Sequence, residues 1–267
     1  MDAIYEAGGR LSCVVTLADE RARSKSGRVY VDGFCRERGI ALTKVANIND
    51  VDAVTAIEAA DLDFLFVIGW SQIARAPLLR ATRRGVLGMH PTLLPQGRGR
   101  AAIPWAILLG LSQTGVTLFQ LDEGVDSGPV LARERVPIER DETATTLYRK
   151  VEEAHRRLIL GNWPSLSSGA LAPVPQVESE ASVWAGRQPG DGRLDPTMTI
   201  EHADRLVRAV TRPYPGAFID LDRCRLRVWA ARITHSAPAS ANEESGPILA
   251  FHGGWLIVTD STWEMAD

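Results

Sequence analysis

The chain is organised around a stretch that opens with Gly88-Met89-His90-Pro91-Thr92-Leu93-Leu94-Pro95 and closes at Gly128. A residue directly before proline is pushed towards extended backbone, so His90 is predicted to end a strand or begin a loop. Function concentrates in such loops. A helix-like run over 103–111 and a strand over 115–121 follow. His90 is therefore either a residue that caps a strand or a functional imidazole.

An acidic turn ends this stretch and reads Asp122-Glu123-Gly124-Val125-Asp126-Ser127-Gly128. Asp often bonds the backbone of its own turn, which is the structural alternative for Asp126. An imidazole and a carboxylate together are also the minimal set for proton transfer with an oriented base. We favour a His90–Asp126 catalytic pair.

Strands and helices alternate on the N-terminal side of the stretch. The expected strands are 11–17, 41–45, 63–70 and 85–89, with helices over 30–38, 51–60 and from 77 between them. This alternation predicts a parallel sheet with helices on both faces. Ligands of such sheets bind beyond the carboxyl ends of the strands. Trp70-Ser71-Gln72, His90 and the acidic turn all lie at such ends.

The C-terminal part differs in composition. A long helix is expected over 143–160, and the Pro-, Ser- and Gly-rich stretch 164–190 is typical of a linker. A helix over 199–210 and strands over 225–231 and 255–259 then predict a small β-barrel module over 191–267, with a polar loop at 237–246.

Composition excludes several classes of protein. Net charge is −3, which supplies no bulk attraction to nucleic acid or anionic membranes. The cysteines Cys13, Cys35 and Cys224 are too dispersed for a metal site or a disulfide framework, and we expect no metal. We find neither a long apolar run nor a secretory signal, so a cytoplasmic protein without membrane attachment is expected.

The two motifs resemble those of the formyltetrahydrofolate-dependent formyltransferases. That family carries Asn-x-His-Pro-Ser-Leu-Leu-Pro, then a helix and a strand, then an acidic turn ending in Leu-Asp-x-Gly. His90 to Pro95 match with Thr92 in place of Ser, and Val125 to Gly128 match the second motif. Gly88 departs from the family, since it stands where the family has Asn. The segment 207–218 is similar to the C-terminal module of methionyl-tRNA and aminoarabinose formyltransferases.

The resemblance implies an α/β fold, with a parallel Rossmann-like formyltransferase sheet over 1–163 and a small C-terminal OB-like β-barrel module. It also implies formyl transfer from N10-formyltetrahydrofolate to an amine, with His90 and Asp126 as catalytic residues. The positions matching the folate site are Trp70, Ser71, Gln72, Ile73, Ala74, Asp122, Glu123, Gly124 and Val125. We assign Thr92, Arg98 and Arg100 to the substrate side, the arginines because they lie in the Gly97–Arg100 loop.

The family opens with a strand, whereas this sequence starts at what resembles the helix that follows it. A sheet without that strand leaves backbone groups and apolar surface unpaired. We therefore expect reduced stability or compensation by a partner.

The acceptor is predicted from charge. The module from 191 onward contains more Asp and Glu than Arg, and no Lys. A tRNA needs a cationic surface, so nucleic acid is not expected and a small amine is favoured, such as a nucleotide-linked amino sugar or a hydroxyornithine-type amine. A methionyl-tRNA formyltransferase, a formyltetrahydrofolate hydrolase and a catalytically impaired folate-binding or scaffold homologue stay open as alternatives, as does a homodimer.

Overall fold

The computed structural model describes residues 1–22, 25–238 and 246–265. These fold into two compact units that interleave along the chain. The first contains Met1–Arg100, Thr114–Val136 and Val151–Trp184, and the second contains Ala101–Gln113, Pro137–Lys150 and Ala185–Asp267. The expected boundaries at 163 and 191 differ from these units, because segments distant in sequence pack together.

The first unit contains the expected parallel strands. Strands β1 (Cys13–Leu17) and β2 (Ala41–Val45) form one parallel pair, and β3 (Phe64–Ile68) and β4 (Gly85–His90) form another. The helices along this part of the chain are α1 (Asp2–Glu6), α2 (Asp19–Ala22), α3 (Asp32–Arg38), α4 (Val51–Ala59) and α5 (Ala76–Leu79). Val15 of β1 and Leu65 of β3 pack against the same buried cluster, although no hydrogen-bonded ladder between β1 and β3 is found in the described residues.

Beyond β4 the sheet continues with antiparallel strands, which the prediction of a parallel sheet did not include. The strand order is β3-β4-β6-β7, with β6 over Gln113–Gln120 and β7 over Val130–Pro137. The β4–β6 register places Phe119 opposite Gly88 and Thr117 opposite His90. This register therefore decides which side chains surround the histidine.

The stretch expected to be a linker is ordered. Helix α7 runs over Ala144–Ser168, past the expected end at 160, and Val174 forms a backbone bridge with Val130. Strand β8 (Val183–Trp184) then pairs in parallel with β5 (Arg98–Gly99). Composition predicts a linker over 164–190, but backbone hydrogen bonds to the Gly97–Arg100 loop hold residues 182–184 in place.

The second unit contains α6 (Ala102–Leu108), α8 (Ile200–Val210) and a curled antiparallel sheet. Strands β9 (Ala217–Leu221), β10 (Cys224–Thr234), β11 (Ile248–Phe251) and β12 (Gly254–Met265) are ordered β11-β12-β10-β9. Helix α8 buries one face and packs on α6 and β10. This half-barrel agrees with the expected OB-like module. Residues 239–245 of the expected polar loop lie outside the described residues.

We expect Gly161→Ala to raise the free energy of unfolding by about 0.5–1 kcal/mol, because Gly weakens a helix interior relative to Ala. Gly161 is exposed in α7, and no atom lies within 4 Å of the position of an added Cβ. Urea denaturation at an unchanged m-value measures the effect. Gly9→Ala is the control, since its Cβ would lie 2.4 Å from Trp163 and should destabilise. A Gly161→Ala protein less stable than the wild type would contradict the expectation.

Among the described residues, no helix combines the length and the apolar character needed to cross a membrane.

Candidate active site

His90 and Asp126 lie together in the first unit, at the end of β4. The Nε2 atom of His90 is 2.7 Å from the carbonyl oxygen of Gly97, and Nδ1 is 3.5 Å from Oδ2 of Asp126. The histidine is 9% exposed. The bond to Gly97 fixes the ring plane and leaves Nδ1 facing the carboxylate. A distance of 3.5 Å is long for a hydrogen bond, so the Asp126 carboxylate lies beside Nδ1 as a charge partner and does not occupy it as a firm acceptor.

The acidic turn presents the Asp126 carboxylate from a left-handed backbone conformation, with φ at 52°. The backbone N–H of Gly99 donates to Oδ2 of Asp126 over 2.8 Å. Oδ1 of Asp122 accepts from the Gly124 backbone N–H and from the Ser127 hydroxyl. Glu123, Gly124 and Val125 at the tip are exposed. The turn is therefore anchored at its base, and its tip is open to a ligand.

The Gly97–Arg100 loop is tied to the segment around β8. The Gly97 backbone N–H donates to Oγ of Ser182, and the Arg98 backbone N–H donates to the Ser182 carbonyl, both over 2.9 Å. Gly99 has a φ of 105°, and a Cβ there would lie 2.4 Å from the Trp184 carbonyl oxygen. Glycine is required at this position, because only glycine allows such close backbone approach.

The residues assigned to the substrate side lie in three different environments. Arg98 is 5% exposed, and its guanidinium binds Gln176 and Glu178. The hydrogen bonds that Arg98 donates to Glu178 also lower the pKa of the Glu178 carboxyl. Arg100 is exposed. The Thr92 hydroxyl is buried and has no hydrogen-bond partner among the residues that the structure describes. A substrate contact of Arg98 stays a prediction, and its observed contacts favour support of the loop.

Gly88 lies beneath an aromatic ring. A Cβ at Gly88 would be 2.6 Å from Cε1 and 2.7 Å from Cζ of Phe119. Phe119 is 2% exposed and packs with Leu94 and Val130. Gly88 and His90 are two residues apart in a strand and so share a face. The space that an asparagine side chain would need beside His90 is thus occupied by Phe119.

The stretch Trp70 to Ala74 follows β3, as expected, and is partly committed to the fold. The Gln72 side chain accepts from the Ile48 backbone N–H and from Nε1 of Trp70, and donates to the Ala46 carbonyl. Ala74 is buried in the cluster with Ile57, whereas Ser71 and Ile73 are exposed. Any ligand contact from this stretch must therefore come mainly from its backbone and from Ser71 and Ile73.

His155 contacts backbone groups from helix α7. Its Nδ1 is 2.7 Å from the Val151 carbonyl, and the ring also bonds to the Met89 backbone of β4. Burial lowers the pKa of His155, against the raising effect of those two carbonyl bonds. The sequence pattern of α7 did not reveal this contact, because it depends on β4 lying against the helix.

Gln176, Ser182 and Phe119 contribute to the site and were not identified from the sequence. Gln176 and Ser182 lie in the stretch whose composition indicated a linker. Phe119 lies in a predicted strand, but its position over Gly88 follows from the β4–β6 register. A search for polar side chains within the stretch 164–190 would have included Gln176 and Ser182. Among the described residues, no group of three or more metal-ligating side chains is placed to hold a metal ion.

Two sequence profiles match the chain. "Formyl transferase" matches residues 18–161, and "Formyl transferase, C-terminal domain" matches residues 187–263. The methionyl-tRNA formyltransferase of Halorhodospira halophila (strain DSM 244 / SL1) is 34% identical over 261 residues, which cover 97% of this chain and 82% of that protein.

Solved structures share the fold. Methionyl-tRNA formyltransferase from Clostridium thermocellum is 18% identical with a TM-score of 0.64, over 97% of this chain and all of that one. HypX from Aquifex aeolicus has a TM-score of 0.70 at 20% identity, and the match covers 94% of this chain and 46% of HypX, so this chain spans about half of that protein. WlaRD is a sugar 3N-formyl transferase whose structure is described in the presence of dTDP and 5-N-formyl-THF. It has a TM-score of 0.66 at 15% identity, and the match covers 96% of this chain and 88% of WlaRD.

Proposed function

The chain belongs to the formyl transferase family, and from that premise we propose that it moves a formyl group from N10-formyltetrahydrofolate to the amine of a small molecule. The observation that carries the proposal is the His90–Asp126 pair at the end of β4, with Nδ1 and Oδ2 3.5 Å apart. An oriented imidazole beside a carboxylate is suited to acyl transfer to an amine.

His90 acts at Nδ1 in this proposal. A protonated imidazole has two N–H donors, and Nε2–H is directed at the Gly97 carbonyl. The Nδ1 atom lies 3.5 Å from Oδ2 of Asp126, too far for a firm hydrogen bond, so Nδ1–H is the donor that can turn to the reacting group. When the amine nitrogen attacks the formyl carbon, the formyl oxygen becomes an oxyanion. Nδ1–H donates to that oxyanion, and this charge stabilisation lowers the barrier.

Asp126 completes the proton balance. The attacking amine loses one proton as its bond to the formyl carbon forms, and the Asp126 carboxylate accepts it. The bond between the formyl carbon and N10 then breaks, and N10 receives the proton that Asp126 took up, which returns the carboxylate to its starting state. The products are the formamide and tetrahydrofolate, with no net proton released. The Gly99 N–H holds Oδ2 of Asp126, so Oδ1 is the oxygen better placed to take the proton.

The family's asparagine is absent from this mechanism. Gly88 has no side chain to donate, and the Phe119 ring fills the adjacent space. Loss of one oxyanion donor typically costs about 10²–10³ in rate. We therefore propose that the intrinsic rate is modest unless water or an acceptor group supplies a second donor.

Folate binding is proposed at the exposed tip of the acidic turn and along the stretch after β3. The exposed backbone of Glu123 to Val125, together with Ser71 and Ile73, can present N–H and C=O groups to a pterin. Backbone recognition is compatible with the side chains found here. Support comes from WlaRD, a fold neighbour in a complex containing 5-N-formyl-THF, and from HypX in complex with tetrahydrofolic acid.

The small-amine acceptor is supported by the charges of the second unit. Several arginines there are paired with carboxylates of the same unit, so much of their charge is balanced within the unit. These pairs are Arg208–Asp204, Arg212–Asp260, Arg225–Asp220 and Arg227–Glu264, with N–O distances of 2.6–2.8 Å. A second candidate acceptor is methionyl-tRNA, and the observation that favours it is the 34% identical relative from Halorhodospira halophila.

We expect 10-formyltetrahydrofolate to be turned over with small primary amines, tested as nucleotide-linked amino sugars and hydroxylated diamines, at rates that change little between 50 and 200 mM salt. Discharge of the folate, followed by absorbance, measures turnover, and mass spectrometry identifies the formamide. Formylation of methionyl-tRNA with affinity falling about 10³-fold or more over that salt range would instead establish the tRNA candidate. Discharge without any amine would indicate a hydrolase.

A further inference from the structure

The turn that carries Asp126 needs support from outside itself. A φ of 52° is uncommon for a residue with a side chain, and such conformations persist only where the surrounding structure holds them. The hydrogen bonds made by Asp122 lie at Gly124 and Ser127, and neither restrains the Asp126 peptide directly. Another group must therefore hold the backbone at Asp126.

Gln176 supplies that restraint. Its side-chain Nε2 donates to the Asp126 carbonyl over 2.8 Å and to the Gly128 carbonyl over 2.7 Å. The two acceptors are two residues apart, so one amide group spans the end of the turn. Gln176 is itself fixed near the turn, because Val174 exchanges two backbone hydrogen bonds with Val130, each 2.8 Å long.

Arg98 decides which way the Gln176 amide points. Nε and Nη2 of Arg98 lie 3.1 and 3.0 Å from Oε1 of Gln176. A guanidinium can only donate hydrogen bonds, so the amide oxygen must face it and the amide NH₂ must face the turn. Glu178 binds the other side of Arg98 with two hydrogen bonds, 3.0 and 2.9 Å long. The guanidinium is therefore held in one orientation.

We propose that Gln176, oriented by Arg98, is a positioning residue that holds Asp126 in register with Nδ1 of His90. Gln176 acts through Asp126 and does not touch the reacting atoms. The effect of Gln176 on catalysis rests on the proposed formyl transfer, whereas its restraint of the Asp126 backbone is independent of that reaction.

A double-mutant cycle tests the proposal. Gln176→Ala should lower kcat about 10–100-fold, a loss smaller than the ~10²–10⁴-fold contribution of a proton-transfer group itself, with the KM for the formyl folate changed less than about threefold. Because Gln176 acts through Asp126, the Gln176→Ala/Asp126→Asn double variant should be no slower than Asp126→Asn alone, within about threefold. A purely structural role would instead multiply the two losses, and that result would overturn the proposal.

Gln188→Ala is the matched control, because that glutamine caps the 3-10 turn Pro189–Gly192 and does not contact Asp126. Its kcat should equal that of the wild type. An equal loss of kcat in Gln188→Ala and Gln176→Ala would count against a specific role. Thermal denaturation of each variant confirms that the proteins compared are folded.

Hydrogen exchange at Gly99 gives a readout that does not need activity, since the Gly99 N–H donates to the Asp126 carboxylate. Gln176→Ala should speed exchange of this amide about tenfold or more, and Gln188→Ala should leave it unchanged. Unchanged Gly99 exchange in Gln176→Ala would overturn the positioning role. If the wild type transferred no formyl group but Gly99 responded as expected, the proposed function would fail and the positioning of Asp126 would stand.

Discussion

The His90→Ala variant is expected to lose about 10³-fold or more in kcat for formyl transfer, within the range attributed to positioned acid–base groups. In the proposed mechanism Nδ1 of His90 donates to the developing oxyanion, and Phe119 occupies the space in which an asparagine at position 88 would supply a second donor. With little else to share the charge, the loss should be at the upper end of that range. Single-turnover discharge of 10-formyltetrahydrofolate measures the effect.

His155→Gln is the control for His90→Ala. It also removes an imidazole beside β4, but His155 bonds backbone carbonyls and not the Asp126 carboxylate. We expect this variant to keep activity within about tenfold of the wild type, as for a residue outside the reacting atoms. Equal losses in the two variants would show that His90 acts by supporting β4. A His90→Ala protein of full activity would refute the mechanism.

Gly88→Asn, which restores the family's motif residue, is expected to reduce the free energy of unfolding by about 3 kcal/mol without raising kcat. A Cβ would meet the Phe119 ring at 2.6 Å, and overpacking of this kind typically costs about 1–3 kcal/mol. The amide would also be buried next to an apolar ring without a partner, which adds to the loss. Denaturant unfolding at constant m-value, together with kcat, measures both effects.

The Phe119→Ala background separates the clash from other causes. Phe119→Ala alone should cost about 3–5 kcal/mol, because it leaves a cavity around Leu94 and Val130. Adding Gly88→Asn to that background should then cost less than it does in the wild type, since the ring is gone. A Gly88→Asn protein as stable as the wild type would mean that the ring moves aside easily, and that space for the asparagine exists after all.

Local chemistry accounts for what the sequence predicted correctly. His90 lies at the end of a strand because proline follows it, and that inference needed only two adjacent residues. The β-branched and apolar runs around β1 and β3 likewise predicted strands from local residue preference, and each of these strands pairs in parallel with a neighbour. Two separated motifs in the right order were enough to place the chain in its family.

Contacts between distant segments account for what the sequence did not predict. Gln176 lies fifty residues beyond Asp126, in a stretch whose Pro and Ser content indicated a linker, yet its side chain spans the end of the acidic turn. The glycine-rich loop predicts a substrate contact for Arg98. The structure adds that its guanidinium is buried and donates hydrogen bonds to Gln176. Neither contact leaves a local sequence pattern, because each depends on which segments the fold brings together.

By itself, then, the sequence determined the family and the α/β class, and it named the histidine and carboxylate of the proposed pair, since backbone preference and motif spacing are local properties. Only the tertiary structure decided how these groups are held. The β4–β6 register places Phe119 over Gly88 and so removes the space for a second oxyanion donor. The packing of the segment after α7 places Gln176 under Asp126. Register and packing are set by the burial of whole strands and segments, and no short stretch of sequence contains that information.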